Sequence, residues 1–136
     1  MSEQFRGTSP AETLAREFFS ALDDRNPRRL QATLSNFAIF RALPHVAPIR
    51  PAEEIVAYFG TVVSSYPSAR WEVSDVIATA DRAAVQFVIR EFSPRLAREL
   101  ISEQVAIFRI ADGKIVSIVG YYDTTEFRRV FWEEGS

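Results

Sequence analysis

Gly113-Lys114-Ile115-Val116-Ser117-Ile118-Val119-Gly120-Tyr121-Tyr122-Asp123-Thr124-Thr125-Glu126-Phe127 is the stretch on which the fold turns. Asp112-Gly113 is a hairpin-turn dipeptide, and the run after it is apolar on both faces of a strand. Simple alternation puts Ile115, Ser117, Val119, Tyr121 and Asp123 on one face, and Val116, Ile118, Gly120 and Tyr122 on the other. A strand with no solvated face has to be covered twice, by helices on one side and by something else on the other. Asp123 then closes the first of those faces, either as an acid/base group or as a helix cap.

Working back to the N-terminus, Ser9-Pro10-Ala11-Glu12 predicts a capped helix with proline at its first position. Leu14, Phe18 and Leu22, widened by Ala15 and Phe19, form its apolar stripe. Asn26-Pro27 predicts a short second helix carrying Leu30 and Leu34, and a strand follows over 37–43. Pro44, Pro48 and Pro51 mark a loop, since proline donates no backbone hydrogen bond. Pro51 with Glu53-Glu54 predicts a third helix with Ile55, Phe59, Val62 and Tyr66 on one face. Four antiparallel strands are expected over 70–79, 83–92, 100–110 and 115–122, then a last helix carrying Phe127, Val130 and Phe131. Segregated helices and strands make this an α+β fold, with the sheet curled around the third helix as a cone open at one end. A single domain over 1–136, with its core at about 9–131, is expected.

Composition removes several classes of function. Hydrophobic residues make up 47% and charged residues 25%, with a net charge of −2, which is ordinary for a water-soluble domain and wrong for a nucleic-acid surface. The N-terminal MSEQFRGTSP has no apolar core of a leader, and no apolar run approaches a membrane span. With no cysteine, neither disulfides nor sulfur ligands are available, and a cytoplasmic location is expected. A single histidine builds no histidine metal centre, so no metal and no cofactor are expected. Lys114, the one lysine, sits at an exposed turn. Eleven Phe, four Tyr and two Trp can line an apolar cavity as well as fill a core. What remains is acid–base chemistry by carboxylate, histidine or tyrosine, or simple ligand binding.

The run from Pro51-Ala52-Glu53-Glu54-Ile55 through Tyr66-Pro67-Ser68-Ala69-Arg70-Trp71 and Asp81-Arg82-Ala83-Ala84-Val85-Gln86-Phe87, closing with Asp112-Gly113-Lys114-Ile115 and Tyr121-Tyr122-Asp123, resembles the SnoaL-like branch of the NTF2-like superfamily. Polyketide cyclases, ketosteroid isomerases and limonene epoxide hydrolases are found there. The resemblance implies a curved sheet around helices, a deep apolar pocket for a small carbonyl-type ligand, and a homodimer packed sheet to sheet. The isomerases' general-base Asp at the end of the first strand has no counterpart in Phe40-Arg41-Ala42-Leu43-Pro44. The epoxide hydrolases' Arg-x-Asp is matched only by Ile89-Arg90-Glu91, without the first cation.

Candidate catalytic residues are Asp123 and Glu91 as bases, with Tyr121 and His45 as proton donors. Each has a plainer alternative. Asp123-Thr124-Thr125-Glu126 is also a capping box; Glu91 also fits a salt bridge with Arg90, Arg95 or Arg98; Tyr121 also fits the core; His45 also fits an exposed loop. Candidate ligand-contacting residues are Tyr58, Trp71, Phe18, Phe87 and Gln104. The function expected is binding of a small apolar ligand, with cofactor-free isomerase, cyclase or dehydratase chemistry as its catalytic form and a plain dimerisation module as the alternative.

Overall fold

The structure, a computed structural model, describes residues 9–94, 96–123 and 125. Its elements run α1 (Pro10–Asp23), α2 (Pro27–Ala32), β1 (Leu34–Arg41), α3 (Ala52–Ser65), β2 (Arg70–Ala78), β3 (Arg82–Ser93), β4 (Arg98–Ala111) and β5 (Lys114–Tyr121). The expected last helix lies outside the described residues. Among those described, no helix is long and apolar enough to cross a membrane.

α1 starts as its sequence dictates. The Ser9 hydroxyl accepts the Glu12 amide at 3.1 Å, and Phe18, Phe19 and Leu22 are buried beneath it. α2 is capped by the Asn26 side chain, which accepts the Arg29 amide at 3.1 Å. Leu34 does not ride on α2 as expected. The helix ends at Ala32, the Thr33 carbonyl accepts the Ile115 amide at 2.8 Å, and Leu34 is drawn into the sheet as the first residue of β1. Arg29 ties α2 back to α1 through Glu17 and Asp24, at 2.9 and 2.6 Å.

The sheet is curved and unclosed, in the order β1-β5-β4-β3-β2. β2 to β5 are antiparallel neighbours; β1 pairs parallel with β5 at the edge. Two single-residue bulges bend it. On β2, Val73 faces Phe87 and Asp75 faces Gln86, which leaves Ser74 as an extra residue. On β5, Ile115 faces Ile110 and Ser117 faces Arg109, which leaves Val116 as the extra one. Each bulge increases local twist and resets which side chains look inward. On β5 the inward set is therefore Ile115, Ile118 and Gly120, the first two at 0% and 2% exposure. Tyr121 is 46% exposed on the outer face, a correction to the plain alternation read from sequence.

The core joins Phe18 and Phe19 of α1 to Phe108 of β4, with ring centroids 5.5 and 5.7 Å apart and nearly perpendicular. On α3, Ile55 is fully buried, whereas Phe59, Val62 and Tyr66 are only half-buried. That half of the stripe packs against the core and also borders an open space.

Candidate functional site

The space is a cavity of about 600 Å³ between α1, α3 and the concave face of the sheet. Its floor is aromatic: Phe18 meets Phe59 and Phe108 edge-on at 5.5 Å, and Phe40 lies 5.0 Å from Phe59. Trp71, Phe87 and Ile89 form the wall toward β2 and β3, and Gln104, Ala106, Ile118 and Gly120 the wall toward β4 and β5. Leu43, Val46, Ala47 and Ile49 overhang the mouth. That loop is held down by paired amide bonds between Phe40 and Ile49 (2.9 and 2.8 Å) and by Arg41 donating to the Val46 carbonyl at 3.1 Å.

All five expected wall residues line the cavity: Phe18, Tyr58, Trp71, Phe87 and Gln104. The four expected catalytic residues do not. His45 is exposed on the overhanging loop, although Val46 and Ala47 beside it face the cavity. Glu91 shares the inward parity of Phe87 and Ile89 but lies one step past the rim, where it accepts the Ser68 hydroxyl at 2.9 Å. Of its expected cationic partners, Arg90 instead bridges Glu72 and Glu99 at 2.8 and 3.1 Å on the opposite face. Tyr121 points outward, and exposed Asp123 accepts the Thr125 amide at 2.9 Å, as a capping aspartate does. The rest of that capping box lies outside the described residues.

Tyr122 takes the inward place that alternation gave to Tyr121, because the Val116 bulge shifts parity by one. Three phenols thus edge the cavity: Tyr58, Tyr66 and Tyr122. Burial pushes the Tyr58 hydroxyl above the ordinary phenol range, and the nearby Tyr66 pushes it further. Burial, then Tyr58, does the same to Tyr122. Both therefore stay protonated at physiological pH and act as donors rather than bases. Among the described residues, the Tyr58 hydroxyl makes no hydrogen bond. Thr61, Ser65 and Gln104 add the other polar side chains of the lining; the Gln104 amide nitrogen donates to Ser102 at 3.2 Å. No Asp, Glu, Lys, Arg or His of the described residues lines the cavity. Nor do three of His, Asp and Glu gather there closely enough to hold a metal ion.

Of the polar lining residues, Tyr66, Tyr122, Thr61 and Ser65 were not expected, and a signal for two of them was present on α3. Thr61 and Ser65, with the expected Tyr58, fleck an otherwise apolar helix face, which a close-packed core does not tolerate but a cavity wall does.

The sequence profile of the SnoaL-like domain matches residues 15–118. The chain belongs to the SnoaL-like domain family. No curated protein sequence matches it. Solved structures similar to this SnoaL-like chain include an NTF2-like protein of unknown function from Burkholderia pseudomallei, 20% identical, covering 92% of this chain and 99% of that one at a TM-score of 0.78. TerC co-crystallised with polyporic acid is 16% identical, covering 89% and 97% at 0.75. A Mycobacterium tuberculosis protein in complex with estradiol-17beta-hemisuccinate is 15% identical, covering 88% and 98% at 0.74. At these identities the likeness establishes the NTF2-like fold of the SnoaL-like domain, and no more.

Proposed function

We propose that this SnoaL-like protein binds a small, uncharged, largely apolar carbonyl compound in the cone. The observation that carries this reading is the lining itself: an aromatic floor, phenol donors at the edge, and no charged side chain among the described residues. An ionised ligand entering such a space loses water without gaining a counter-charge, whereas a neutral ketone exchanges water for a phenol O–H. About 600 Å³ falls within the usual range for small-molecule sites. Two similar structures hold small organic ligands, polyporic acid and estradiol-17beta-hemisuccinate, which supports a small-molecule site; both ligands are acidic, so the uncharged character of the ligand rests on the lining of this cavity alone. Isomerase, cyclase or dehydratase chemistry through Glu91 or Asp123 has less support, since neither carboxylate lines the cavity.

The test is calorimetric titration with an aryl ketone, its hydrocarbon counterpart and its carboxylic acid counterpart. The ketone is expected to bind best. Tyr58→Phe is expected to weaken the ketone about five- to tenfold and leave the hydrocarbon unchanged, the size of one net hydrogen bond. Equal binding of ketone and acid would count against the reading.

The outer face of the sheet supports a homodimer. Val105 lies beside Tyr121, and Ile107 beside Val119, as an apolar patch on that face, with Tyr121 46% exposed. Twice the 15.4 kDa chain mass is expected on sedimentation, falling to one chain mass when Val105 and Ile107 are both changed to Glu. A wild-type protein that sediments at one chain mass removes the dimer.

A further inference from the structure

A second cavity of about 490 Å³ lies between α1–α2 and α3, lined by Leu30, Val56, Gly60 and Val63 among others. Leu22, which is buried, and Phe59 line both cavities, so the two spaces adjoin at these side chains. The outer space is mostly apolar, with Arg25, Asn26 and Ser64 also in its lining, and exposed Gly60 borders it.

Gly60 is an independent observation. It sits inside the 14-residue α3, where glycine is less favourable than alanine. No positive φ calls for it, and a Cβ there would meet nothing within 4 Å. Its lack of a side chain therefore serves no packing requirement, and it lies in the lining of the second cavity, where a longer side chain would compete for the space.

We infer that the two cavities form one ligand site, and that the ligand is elongated. Its carbonyl-bearing head occupies the cone, and an aliphatic tail passes between Phe59 and Leu22 into the cleft beside Gly60. This rests on the binding role proposed for the cone and narrows its ligand class from compact to tailed compounds. Phe59 suits the dividing position, because its ring packs on Phe18, Phe40 and Tyr58 at 5.5, 5.0 and 5.1 Å and the residue is still only half-buried.

The probes are 1-phenylalkan-1-ones of increasing acyl length, titrated into wild type, Gly60→Ala and Gly60→Leu. Both substitutions favour the helix, so the variants are expected to fold. In wild type, each added methylene strengthens binding about three- to fourfold until both spaces are filled. In Gly60→Leu the gain stops at a shorter chain, the shortest ketones bind as in wild type, and the longest bind on the order of tenfold more weakly. Gly60→Ala falls between them. Wild type and Gly60→Leu profiles that break at the same chain length overturn this inference and leave the cone's binding role standing. No binding at any length overturns both.

Discussion

Gly120→Val is expected to destabilise the fold by about 3 kcal/mol, with a fall in Tm of roughly 10 °C and a loosened roof over the cavity mouth. Gly120 stands where β5 passes the end of β1, and a Cβ there would overlap the Ala42 carbonyl oxygen. That clash is with backbone, not with the free end of a side chain, so no rotamer change relieves it. The chain at Ala42 has to move, and the overhang carrying Leu43 and Val46 moves with it. Thermal denaturation followed by circular dichroism measures the first effect; ketone affinity measures the second. A variant that melts within about 2 °C of wild type would show that β5 and Ala42 part at little cost.

Asp23→Ala is expected to cost about 2 kcal/mol, and to flatten the dependence of stability on acid. The Asp23 carboxylate, at the end of α1, accepts the Arg70 guanidinium at 2.8 to 3.1 Å and the Trp71 amide at 2.9 Å. It thereby fixes the start of β2 and the Trp71 wall of the cavity. Arg25 works beside it, donating to the Tyr66 and Pro67 carbonyls at 3.2 and 3.0 Å with its guanidinium 5.5 Å from the Trp71 ring. Burial alone would raise the Asp23 pKa. The hydrogen bonds from Arg70 and the Trp71 amide, with the charges of Arg70 and Arg25, outweigh burial and hold it below the ordinary carboxylate value. A depressed folded-state pKa gives stability that is complete above the unfolded value near 3.9 and disappears as pH falls through the folded value. Wild type should therefore lose more stability than Asp23→Ala as pH drops from about 5 to about 2. Parallel losses in urea melts across that range would refute the role.

Much of the site was legible because helix periodicity and strand alternation are local. Phe18 on α1 and Phe87 on β3 reach the cavity, as do Tyr58 on α3 and Trp71 on β2, which the pattern left as wall or dimer-interface residues, and Gln104 on β4, whose face the alternation left open. What misled was a count. Alternation from Ile115 arrives at Tyr121 only if every residue of β5 is paired, and Val116 is not. A bulge is a property of two strands in register, and nothing in the local residues around Val116 announces it. The same limit hid the parallel pairing of β1 with β5, which joins segments about seventy residues apart in sequence. Glu91 had the right parity, but parity does not say where a cavity ends; the rim falls between Ile89 and Glu91.

That parallel pairing also sets an order of events during synthesis. β1 emerges from the ribosome early, but its neighbour in the sheet is β5, the last strand among the described residues. Until residues 114–121 are available, the edges of β1 have only the single bridge from Phe40 to Ile49. Helices and central hairpins can gather beforehand, because their contacts are close in sequence. The first strand must wait, so the cone acquires its far wall only after β5 has been made.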